Sequence, residues 1–158
     1  MDEPELLSDR YDRVRTHQTA EGVWFHGYSY LGSGGMEFWG ANDFYFLTAD
    51  MTVVEPVCTE DLLLNADVQS VGSVLVTASL DDGGVLCCHV VDRRAGVVPV
   101  PVASSVGAET SFPKILPGPD GSGFWLTSPG NPIYYIDPDA AVDSHHAGIP
   151  FSPARFEG

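Results

Sequence analysis

The sequence predicts an all-β domain, an antiparallel sandwich or barrel, with one short N-terminal helix. Three observations carry this prediction. Short runs of β-branched and aromatic residues recur between residues 22 and 136. Clusters of Gly, Asp, Asn and Pro separate them, which is turn chemistry. One segment ahead of them instead repeats its apolar residues at helical spacing.

That segment is 4–15. Leu6, Leu7, Tyr11 and Val14 would form one stripe, with Glu3 and Glu5 at the start and Arg13 and Arg15 at the end. Such a charge order complements a helix dipole. Strands are expected at 23–31, 36–39, 44–48 and 52–57, with turns at Gly32–Gly35 and Gly40–Asp43. Thr59–Leu64 reads as one helical turn, with Thr59 as its N-cap. Residues 71–80 and 85–91 flank Asp81-Asp82-Gly83-Gly84, a strong hairpin signal. The strand at 97–102 holds Pro99 and Pro101, which cannot donate ladder hydrogen bonds, so it belongs at a sheet edge. Strands at 124–127 and 133–136 follow, and 137–158 is expected to run as an irregular tail. The 158 residues show no linker and read as a single domain.

Charge is the most unusual feature of the composition. There are 22 acidic residues against 7 basic ones, a formal net charge of −15, and Lys114 is the only lysine. No Lys or Arg lies between Arg15 and Arg93, a stretch with eleven Asp or Glu. Those carboxylates cannot all pair locally, so most must be solvated. A simple solubility surface, adaptation to high salt, and a partner with a basic surface all fit this pattern. Direct nucleic-acid binding does not, because no basic patch can form against phosphates. An anionic membrane is disfavoured for the same reason.

The N-terminus lacks the basic start and apolar run of a signal peptide. No apolar run approaches a membrane span. Cys58, Cys87 and Cys88 are an odd set without regular spacing, which reads as buried thiols in a reducing compartment. The expected location is the cytoplasm, or a particle assembled there.

Nine of the seventeen aromatic residues fall within the 23 residues from Trp24 to Phe46. Strand alternation places Trp24, His26, Tyr28 and Tyr30 on one face, with Val23, Phe25 and Leu31 on the other, which reads as the core side. Rings with polar tips suit a ligand cavity or a protein interface. The candidate binding residues are therefore Trp24, His26, Tyr28 and Tyr30, joined by Trp39 and Tyr45. A packed interior with its polar tips hydrogen-bonded is the competing reading.

Gly22-Val23-Trp24 resembles the Gly-x-Trp that opens the first strand of lipocalin-type barrels. The resemblance implies a barrel with Trp24 closing its floor. The long helix near the end of such barrels has no counterpart here. The segment from Val71 to Pro101 also resembles a β-propeller blade, although any antiparallel meander shares its spacing.

Asp137, Asp139, Asp143, His145 and His146 lie within ten residues, but their spacing matches neither a calcium loop nor a zinc site, so no metal is expected. No nucleophile elbow, phosphate loop or dinucleotide fingerprint is present, and no cofactor is implied. His17, His26 and His89 are histidines without a legible catalytic partner. The sequence therefore reads as a non-enzymatic acidic interaction protein. It would be either a structural subunit of a virion- or particle-type assembly, or an inhibitor or immunity-type protein on a basic protein surface. Its partner would be such a protein or copies of itself. The alternative is a small-molecule-binding, lipocalin-like barrel, enzymatic or not, using the Trp24, His26, Tyr28 and Tyr30 face.

Overall fold

The computed structural model describes residues 13–30, 38–48, 50, 54–60, 63–80, 85–103, 113–119 and 121–156, with the side chains of 29–30, 38–42, 54–60 and 63–66 outside that description. The chain is mostly β, and its described residues form two antiparallel sheets and one short helix.

The larger sheet has eight strands: β1 (Arg13–Gln18), β2 (Gly22–Tyr30), β3 (Phe38–Thr48), β4 (Val54–Glu60), β5 (Leu63–Val71), β6 (Val74–Leu80), β7 (Leu86–Asp92) and β8 (Gly96–Val100). Their order is β1-β2-β3-β5-β6-β7-β8, and β4 pairs with the second half of β3. The smaller sheet has the order β12-β11-β10-β9, from β9 (Lys114–Pro117), β10 (Phe124–Thr127), β11 (Ile133–Ile136) and β12 (Ala154–Phe156). Helix α1 (Pro138–Ala147) follows β11.

Several expectations change. The helix lies on the C-terminal side. Of the segment expected to be helical, Arg13–Arg15 belong to β1 and the remainder lies outside the described residues. Antiparallel pairing with β2, Arg13 opposite Tyr28 through Gln18 opposite Val23, overrides the local helical spacing there. The expected tail instead holds α1 and β12. Asp137 caps α1: its Oδ1 accepts from the backbone N–H groups of Asp139 and Ala140, and Pro138 opens the first turn.

Phe38–Thr48 is one strand rather than two, bent where a bulge in its pairing with β2 falls between Gly27 and Ser29. The expected helical turn at Thr59–Leu64 is replaced by the end of β4 and the start of β5. The expected strand 71–80 is divided by a two-residue turn, Gly72-Ser73, in which Gly72 adopts φ +59°. That left-handed conformation favours glycine and suits a tight hairpin.

The barrel does not form. The large sheet is open, with β1 and β8 as its edges, and β8 is the proline-bearing strand expected there. The blade-like segment is part of this same sheet, continuous with β5.

Two apolar clusters hold the layers. On one face of the large sheet Val76, Ala78, Leu86, Cys88 and Val98 pack against the inner face of the small sheet, where Phe124, Leu126, Tyr134 and Ile136 are buried. Ala141 and Val142 of α1 seal one side of this core. On the opposite face the β2–β3 region curls over the β5–β7 region. Trp24, Phe44 and Phe46 meet Val68, Leu75 and Val91 there. Burial of full-sized apolar side chains is worth roughly 1.5–3 kcal/mol each, so these clusters dominate the folding energy. No helix among the described residues is long and apolar enough to cross a membrane.

Candidate functional site

The aromatic residues singled out in the sequence do not behave as one open face. Trp24 and His26 are wholly buried and Tyr28 nearly so, whereas Val23 and Phe25 on the other side of β2 are only half-buried. The expected inner and outer faces of this strand are thus exchanged, because the curled sheet covers the Trp24 side. The His26 imidazole lies between two rings. It stacks on Phe44, its cross-strand partner, at 4.6 Å, and on Tyr28, two residues along the strand, at 4.8 Å. Trp24 meets Phe46 edge to face at 5.1 Å, within the favourable range for aromatic pairs. Tyr45 is buried on the opposite face of β3. Tyr30 and Trp39 are cross-strand partners, but their side chains lie outside the described ones.

Around this cluster stand polar groups on the same face. Thr77 sits directly across from His89, and Ser79 from Cys87. Thr77 and Ser79 are buried. Burial lowers the pKa of His89. His17 is lowered as well, by burial first and then by the neighbouring Arg15 cation, with Asp67 acting in the other direction. Both imidazoles are thereby biased to the neutral form. Cys87 and Cys88 point to opposite sides of β7 and remain thiols.

At one corner of the described structure three separate chain segments bring carboxylates within electrostatic reach of one another. Glu21 comes from the β1–β2 turn, Asp92 from the end of β7, and Asp137, Asp139 and Asp143 from α1 and its cap. Asp139 reports this convergence. Its carboxyl is held above the usual carboxylate range by desolvation first, then by Asp137, Asp143, Asp92 and Glu21. Glu21, Asp92, Ser73, Arg93 and Arg94 line a surface depression beside it. Asp92 Oδ2 accepts from the backbone N–H groups of Arg94 and Ala95, which shapes the β7–β8 turn. The Arg93 guanidinium lies 4.3 Å from the Phe46 ring centroid, so its charge is partly directed inward.

Sequence reasoning recognised the acidity but not this corner, because Glu21, Asp92 and Asp139 are far apart in the chain. The signal that could have placed α1 was Asp137-Pro138, an N-cap followed by proline at the first helical position. Among the described residues no group of three or more His, Cys, Asp or Glu side chains is arranged to hold a metal ion. His145 and His146 lie exposed in the last turn of α1.

Compared with protein-family models, curated proteins and solved structures, the chain matches none.

Proposed function

We propose that this protein is a non-enzymatic β-sandwich that binds a basic surface on another protein through its acidic corner. The observation that supports this reading is the convergence of Glu21, Asp92, Asp137, Asp139 and Asp143 from three chain segments, where the Asp139 carboxyl is raised by desolvation first and then by the other four carboxylates. Mutual repulsion of this kind costs stability, and a cationic partner would relieve it. The overall charge of −15 adds long-range steering, which speeds association with a cationic protein and weakens as salt rises. An inhibitor or immunity-type role uses this chemistry directly, since carboxylates then cover a basic functional site. A particle subunit would use it against a basic scaffold.

The test is affinity capture from the source cells at low and high salt, with wild-type protein and an Asp137→Asn, Asp139→Asn, Asp143→Asn variant. Asn still caps a helix, so the fold is retained. A basic partner should be captured by the wild type, released by salt and lost with the variant. A partner that is not basic, or equal capture by both proteins, would refute the reading.

A further inference from the structure

The outer face of the small sheet is a second surface, independent of the acidic corner. Alternation along its strands sends Ile115, Phe124, Leu126, Tyr134 and Ile136 into the core. The other set faces outward. Leu116, Trp125, Tyr135 and Ala154 form one cross-strand row, because Trp125 pairs with both Leu116 and Tyr135, and Tyr135 with Ala154. Phe156 stands opposite Ile133 in the next row. Trp125 is in ring contact with Tyr135 at 4.8 Å and with Phe156 at 5.6 Å. Leu116 is 53% exposed and Phe156 49%. Of the other strongly exposed large apolar side chains among the described residues, Val14 is on β1 and Val85 and Ile149 are in loops, so none is on these four strands. Gly123 lies beneath the Tyr135 ring: a Cβ there would sit 2.6 Å from the phenol oxygen, so a side chain would lift the ring off the sheet.

The charge distribution names the occupant. In a chain with 22 acidic residues, β9 to β12 contain Lys114 and Arg155 and no Asp or Glu. Two copies of a −15 protein repel each other across carboxylate-bearing faces. This is a face where they can approach without desolvating a carboxylate on the contacting strands. Its make-up, with aromatics at the centre and charge confined to the edge, is that of an interface core. We infer that this face is a self-association surface, on which two copies pack Trp125, Tyr135, Phe156 and Leu116 against the same residues in a two-fold dimer.

The patch is small. Four strands about 4.8 Å apart and roughly 13 Å long give a footprint of about 250 Å², well below the ~800 Å² per partner of a standard stable interface. The dimer is therefore of the weak, transient class. Its salt dependence opposes that of partner binding. Salt screens the repulsion between two anionic bodies, so self-association strengthens as ionic strength rises.

Sedimentation equilibrium of the full chain between about 5 and 500 μM tests this, at low and high salt. The wild type should show a monomer–dimer equilibrium that tightens with salt. Leu116→Lys and Phe156→Ser change exposed positions, and each should weaken dimerisation at least tenfold while leaving far-ultraviolet circular dichroism and cooperative thermal unfolding in place. The Asp137→Asn, Asp139→Asn, Asp143→Asn variant should dimerise at least as well as wild type, which separates this proposal from the acidic-corner reading. A wild type that is monomeric throughout overturns the inference, even if another protein is found on this face. So does a dimer that survives both sheet variants, or one lost only when the acidic corner is neutralised.

Discussion

The Asp67 carboxylate on β5 accepts a hydrogen bond through Oδ2 from the backbone N–H of Ile115 on β9, at 2.9 Å across 48 residues of sequence. Its other oxygen, Oδ1, accepts from Gln69 Nε2 at 3.0 Å. This carboxylate is a polar tie between the two sheets. Bonds to charged acceptors contribute about 1.5–3 kcal/mol, and a buried N–H left without its acceptor adds a further penalty. Asp67→Ala should therefore lower stability by about 2 kcal/mol. Asp67→Asn, which keeps an acceptor oxygen, should lose less. Urea unfolding would show this as a shift in midpoint without a change in slope.

Trp24 Nε1 donates to the backbone carbonyl of Ser73 at 3.0 Å, joining β2 to the β5–β6 turn. The indole is fully buried against Phe46. Replacing Trp24 with Phe removes the donor and part of the volume, and should cost about 2–3 kcal/mol; Trp24→Ala should cost about 3–5 kcal/mol. The measurement is thermal or urea unfolding followed by circular dichroism, which does not depend on the fluorophore removed.

His17 and His89 both have folded-state pKa values below the ordinary value of about 6.5. The unfolded chain then binds protons that the folded chain resists. Stability is fully retained above about pH 6.5, falls as pH drops below that value, and levels off once pH is below the folded pKa values. A plot of unfolding free energy against pH should slope upward through this window. Replacing both histidines with Gln should flatten that slope, and an unchanged slope would assign it to other groups. Asp139 has the opposite sign: its pKa is raised by desolvation first and then by the neighbouring carboxylates, and the cost of its charge is relieved as pH falls below its folded value.

Much of the strand content was legible in the residues themselves. Phe124–Thr127 and Ile133–Ile136 are strands with the bounds their turn residues imply. The proline-bearing β8 is at an edge because a residue without an N–H cannot serve a central ladder. Other elements were not legible because long-range pairing decided them. Residues 66–70, Ala-Asp-Val-Gln-Ser, carry little β-propensity, yet they pair with β6 across the Gly72-Ser73 turn. Arg13–Arg15, expected at the end of a helix, instead follow the ladder with β2. The outward Trp125 and Tyr135 sit at alternating positions in short strands, but only the inner sheet contacts of Phe124 and Tyr134 reveal which set faces solvent.

The amino-acid sequence by itself determined the β-rich character, the turn positions and the heavy excess of carboxylates. These depend on backbone preference and on counted charge, which neighbours in the chain express directly. Tertiary structure alone decided that the Trp24 face turns inward, that Asp139 lies within electrostatic reach of Glu21 and Asp92, and that the acid-free strands β9 to β12 carry their aromatic row on the outer face. Each of these depends on which strands pair and how the large sheet curls, and such contacts join residues dozens of positions apart.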